Sequence, residues 1–124
     1  MHHFEKNNVI TDHPPIVGVG PHSGDPHYSP IKGADSPIKN GDFVLVDLWG
    51  KVDHPNGVYS DLTRVGYVGE TVPEQYSKIF NIVAAARDAG IDLVKKRFAA
   101  NEPLAGWEVD AATRAVIDAA TARK

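Results

Sequence analysis

The stretch Gly41-Asp42-Phe43-Val44-Leu45-Val46-Asp47-Leu48-Trp49, followed by Val58-Tyr59-Ser60-Asp61-Leu62-Thr63-Arg64, decides the fold. Residues 43–49 are apolar at consecutive positions apart from Asp47. Consecutive rather than alternating apolar residues predict a strand buried on both faces, with Asp47 as the exception. His54-Pro55-Asn56-Gly57 is a turn signal within residues 51–57, and residues 58–68 read as a second strand. Two strands joined by a short, turn-rich link predict a β-hairpin.

A register that sets Trp49 against Tyr59 also sets Asp47 directly opposite Asp61, so both carboxylates share one face of the hairpin. Two carboxylates that close repel, and burying an uncompensated anion costs several kcal/mol. A hard divalent cation compensates both, and paired carboxylates are what a two-metal hydrolytic centre requires. The alternative is that Asp61 bonds Arg64 or a backbone group while Asp47 merely ends a strand.

Outward from the hairpin, residues 15–20 (Pro-Ile-Val-Gly-Val-Gly) read as a short strand and residues 21–42 as turn-rich. Of the nine prolines, seven precede residue 56, whereas residues 74–124 contain only Pro103, Gly90 and Gly106 as breakers. The second half is therefore helical. Tyr76, Ile79, Phe80, Val83, Ala84, Ile91, Val94 and Phe98 recur at helical spacing, predicting a helix from about residue 73 to 100 with a buried apolar face. Gly90 reads as a local weakness of ~1 kcal/mol. A second helix over about residues 108–121 is expected to bury Val109, Ala112, Val116 and Ala119.

Composition bounds the function. A chain of 124 residues, 42% hydrophobic, has material for one modest domain spanning residues 1–124. The absence of cysteine excludes disulfides and thiolate zinc sites. A net charge of −3 and no basic run longer than Lys95-Lys96-Arg97 give no footprint for nucleic acid. No apolar stretch reaches the roughly 18 residues of a membrane span. Met1-His2-His3-Phe4-Glu5-Lys6 lacks the apolar core of a signal peptide. The expectation is a soluble, cytoplasmic protein without nucleic-acid or membrane partners.

Three segments carry a resemblance. Gly41–Asp47, the run Tyr59-Ser60-Asp61-Leu62-Thr63-Arg64 and Val68-Gly69 resemble the first metal-binding hairpin of the pita-bread metallopeptidases. That family includes methionine aminopeptidase, Xaa-Pro aminopeptidase, prolidase and the metal-free creatinase. Ser23-Gly24-Asp25-Pro26-His27-Tyr28-Ser29-Pro30 resembles the family segment ending in His-Tyr-x-Pro, closest to the proline-peptidase branch. Glu108–Arg114 resembles the helix that follows the hairpin. The resemblance implies an α/β fold, the first half of a pita bread, with a bent antiparallel sheet and two helices on one face. It implies that Asp47 and Asp61 bind a dinuclear centre of manganese, cobalt or zinc. It further implies that His27 contacts substrate or the tetrahedral intermediate, on a peptide with proline at its second position. Thr63 falls on the strand face of Asp61 and is placed to support a ligand. Arg64 points the other way. His22 and His54 read as surface loop residues.

The Asp47-to-Asp61 interval of fourteen exceeds the family's usual one, and the excess falls in the turn 51–57, where insertions leave the strands in place. The family completes its metal site with a histidine and two glutamates from a second half of the fold, and no such segment follows here. The expectation is a truncated Xaa-Pro-type peptidase, inactive alone. The alternatives are a non-catalytic creatinase-like binding protein or one subunit of a split enzyme. Exposed sheet edges then predict self-association or association with a missing C-terminal half.

Overall fold

The computed structural model describes residues 2–122. Its contacts divide the chain into two compact units, Met1–Thr71 and Val72–Lys124.

The first unit is a sheet. A short helix α1 (His2–Lys6) leads into β1 (Val9–Ile10) and β2 (Ile16–Val19), and the hairpin strands are β3 (Phe43–Val52) and β4 (Ser60–Tyr67). β3 pairs antiparallel with β1, β2 and β4. The hairpin forms as the sequence predicts. Its register differs: Trp49 faces Asp61 and Asp47 faces Thr63, a slip of two residues from the expected Trp49–Tyr59 and Asp47–Asp61 pairs. β3 is also not buried on both faces. Residues 43–51 are half-buried, and β4 is exposed from Ser60 to Gly66. The apolar run of β3 exceeds what this unit brings to cover it. Ile16, at 4% exposure, and Val19, at 8%, are the buried apolar side chains of the sheet among the described residues.

The second unit is a pair of helices, α2 (Glu74–Ala99) and α3 (Gly106–Thr121). Pro73, with φ −59°, precedes the first turn of α2, where its missing N–H removes no helical bond. Arg97, in the last turn of α2, bonds Glu102 at 3.1 Å and Glu108 at 3.0 Å. Glu108 also accepts the Ala105 backbone N–H at 2.9 Å, satisfying an orphan donor at the start of α3. Gly90 is also a point of close approach between the two helices. A Cβ there would stand 2.8 Å from Thr113 Oγ1 and 3.3 Å from a Val109 methyl, and Gly90 and Ala86 are the buried residues of α2. The wide apolar face expected on α2 is largely exposed, with Ile79 at 62% and Phe98 at 87%. Val109, Ala112 and Val116 are half-buried and Ala119 is exposed. Two helices meeting through small residues cover only a narrow stripe of each other.

Candidate active site

Direct pairing in the sheet assigns side chains to faces, because opposed residues project together. Asp47 lies between Ile16 of β2 and Thr63 of β4, and the same face carries Gly18, Leu45, Trp49, Asp61 and Val65. Val17, Val19, Val44, Val46, Leu48, Leu62 and Arg64 occupy the other face. Asp47 and Asp61 therefore share a face, but as diagonal neighbours, a relation that separates Cα atoms by roughly 7–8 Å.

Asp47 is oriented. Thr63 Oγ1 donates to its Oδ1 at 2.7 Å, and buried Ile16 flanks it on the other side. Fixing one carboxylate oxygen by a neutral hydroxyl leaves the second oxygen and the full negative charge available. Asp61 is exposed, and among the described residues its carboxylate makes no hydrogen bond or ion pair. An Asp61–Arg64 bond is not formed: Arg64 lies opposite Val46 on the far face, and its guanidinium donates to the Thr63 carbonyl at 2.9 Å.

The turn-rich segment is shared between the two faces. A 3₁₀ turn at Gly20–Gly24 sits over Gly18, on the face of Asp47; a Cβ on Gly18 would stand 2.6 Å from the His22 carbonyl oxygen. Tyr28, Pro30, Asp35, Ser36 and Ile38 instead close a cavity of about 150 Å³ against Val17 and Val19, on the opposite face. His27 falls between these two segments in sequence. It is exposed, and its backbone N–H donates to Asp25 Oδ1 at 2.9 Å. His22, expected at the surface, is half-buried, and its ring stacks on Tyr28 with centroids 4.1 Å apart. His54 is exposed in the hairpin turn, where its Nδ1 accepts the Asn56 N–H at 3.1 Å. Among the described residues no three His, Asp or Glu side chains converge as a metal site.

On the same face, Trp49 brings in Asp12 and His13. Trp49 stands directly opposite Asp61, its indole N–H donates to Asp12 Oδ1 at 2.6 Å, and the His13 ring lies against it. The position of Trp49 two residues after Asp47 was a usable signal. Nothing local in the sequence connects it to Asp12 and His13.

The sequence profile of metallopeptidase family M24 matches residues 1–123. A Mycoplasma pneumoniae protein named as an Xaa-Pro aminopeptidase is 39% identical over 106 residues, which are 85% of this chain and 27% of that protein. A Mycobacterium tuberculosis protein named as dipeptidase PepE is 31% identical over 102 residues, 82% of this chain and 24% of the relative. The crystal structure of dipeptidase PepE from Mycobacterium ulcerans superposes with a TM-score of 0.67 at 33% identity, covering 86% of this chain and 26% of that one. The chain thus spans about a quarter of the length of the relatives it matches.

Proposed function

The chain belongs to metallopeptidase family M24, and from that premise we propose that its hairpin contributes the two-aspartate side of a divalent-metal site hydrolysing peptide bonds near an N-terminus. The chain carries part of the α/β pita-bread fold, with its antiparallel sheet and helices. The names of its relatives favour an Xaa-Pro aminopeptidase or a dipeptidase. The observation that supports the site is the Asp47 carboxylate, oriented by Thr63 on the strand face it shares with Asp61. The donor set is hard oxygen, which of manganese, cobalt and zinc suits manganese best.

Asp47 and Asp61 would hold the metal, and Thr63 fixes the angle at which Asp47 presents its free oxygen. A divalent ion held there supplies Lewis acidity to the scissile carbonyl and acidity to a water. His27, whose ring makes no hydrogen bond among the described residues, would donate a hydrogen bond toward the oxyanion that develops on that carbonyl. Two carboxylates offer at most four oxygens, fewer than two ions require, so such a site would need ligands beyond these two side chains.

Manganese titration followed by the electron paramagnetic resonance of the free ion tests the reading. Weak binding to the 124-residue chain, abolished in Asp47→Asn, is the expected result. Equal binding by parent and variant would place any metal elsewhere and overturn it.

A further inference from the structure

Trp49 is built into the site face rather than into a core. Two elements hold it: Asp12 Oδ1 accepts its indole N–H at 2.6 Å, and the His13 ring stacks on it with centroids 5.6 Å apart and planes 16° from parallel. Asp12 and His13 belong to the linker between β1 and β2, and that linker is stiff. Thr11 Oγ1 donates to the His13 carbonyl at 3.0 Å and accepts the His13 N–H at 3.4 Å, and Pro14-Pro15 follow with restricted φ. His13 Nδ1 lies 2.6 Å from the Pro14 carbonyl oxygen. A carbonyl only accepts, so the proton sits on Nδ1 and the ring is held at its edge as well as its face.

The indole is thus fixed in plane and across one face, yet it is only half-buried. A tryptophan that merely filled a core would be enclosed by apolar side chains. Trp49 instead is bounded by Asp12, His13 and, across the hairpin, Asp61. A rigid aromatic surface beside a candidate metal-holding carboxylate gives a large apolar contact at little entropic cost, because its rotamer is set before a ligand arrives. The charge of Asp12 at its edge repels an acidic neighbour.

We infer that Trp49, held by Asp12 and His13, is a specificity-determining wall of the site, packing against an apolar side chain of the peptide bound across Asp47 and Asp61 and disfavouring an acidic one. The placement of the peptide rests on the function proposed above. Asp12 and His13 act through Trp49 as positioning residues.

Nitrogen-15 NMR of the 124-residue chain tests this, because its two tryptophans give two indole N–H signals and Trp107→Phe assigns them. Trp107, 72% exposed, serves as the internal control. With zinc present, the dipeptide Leu-Pro shifts the Trp49 signal and spares Trp107, and Asp-Pro binds at least fivefold more weakly. Asp12→Ala weakens Leu-Pro binding about threefold without changing manganese affinity. Manganese alone broadens the Trp49 signal if the metal reading holds. Broadening by manganese with no response to Leu-Pro overturns the wall and leaves the metal site standing. A Leu-Pro shift without manganese broadening overturns the metal site and keeps the wall. Equal responses to Leu-Pro and Asp-Pro overturn the selectivity, and no response to metal or peptide overturns both readings.

Discussion

The Thr63 hydroxyl donates to the Asp47 carboxylate across the β3–β4 ladder at 2.7 Å, within a directly opposed pair. The bond holds one carboxylate oxygen without neutralising it. In the proposed metal site this bond would support a ligand, and the loss of such supporting hydrogen bonds typically costs about 10- to 100-fold in affinity.

Thr63→Val keeps the β-branched shape and removes the donor, so it is expected to weaken manganese binding by about tenfold with little change in stability. Thr63→Ser retains the hydroxyl and most of the affinity. Paramagnetic titration of both variants checks this. Equal affinities for the valine and serine variants would show that the hydrogen bond does nothing for the ligand.

His27 makes its local bond through the backbone, with its N–H on Asp25 Oδ1. His27→Ala is therefore expected to leave urea unfolding within about 0.5 kcal/mol of the parent, as for an exposed side chain without packing. Manganese affinity should also be unchanged, because the proposed role is toward substrate. A tenfold loss of metal binding in this variant would make His27 a ligand instead.

Much of this architecture is legible in the sequence, and the gaps have physical causes. The apolar run 43–49, the turn signal at His54-Pro55-Asn56-Gly57 and the helical spacing after Pro73 each locate an element within a few residues of β3, β4 and α2. The hairpin register is not legible, because side chains alternate with a period of two. A slip of two residues keeps every side chain on its face and leaves the apolar pattern equally satisfied. The same fact explains why Asp47 and Asp61 share a face although they are not paired. Apolar periodicity marks the residues suited to burial and not what covers them, hence the exposed Ile79, Val83 and Phe98. The Asp12–Trp49 bond joins residues 37 positions apart, and no local pattern reports such a contact. Short α1, five residues long, has too few positions to show a periodic apolar face; Asn7 donates through its side chain to the His3 carbonyl, and Asn8 turns the chain at φ +54°.

Gly90 offers a test of packing independent of the metal. A Cβ placed there meets Thr113 Oγ1 at 2.8 Å, and that hydroxyl is itself bonded to the Val109 carbonyl at 2.9 Å. Overpacking costs about 1–3 kcal/mol, and replacing glycine in a helix returns about 1 kcal/mol. Gly90→Ala is thus expected to destabilise the helical pair by about 1 kcal/mol. Adding Thr113→Ala removes the clashing atom and should recover most of the loss, a coupling that additive sites would not show. Urea unfolding followed by helical circular dichroism measures these two variants and Thr113→Ala alone. Stabilisation by Gly90→Ala alone would mean that the helices are not in contact at Gly90.

Hydrolysis by the 124-residue chain alone is the most demanding test. Asp47 and Asp61 bring carboxylate oxygens from one side, and among the described residues no third His, Asp or Glu joins them as a metal site. The proposed two-ion site would need more ligands than this, and ligands that act as a unit fail together rather than in proportion to their number. Self-association adds only further copies of the same aspartates. Purified chain with added manganese is accordingly expected to release no proline from Xaa-Pro dipeptides above the uncatalysed rate, while still binding the metal weakly. Supplying a polypeptide that carries the remaining ligand-bearing segment of an M24 relative should then restore turnover, and Asp61→Asn in this chain should abolish it. Metal-dependent release of proline by the chain alone, lost in Asp61→Asn, would show that Asp47 and Asp61 find their other ligands within these 124 residues, with His13, His22 and His54 the first candidates to examine.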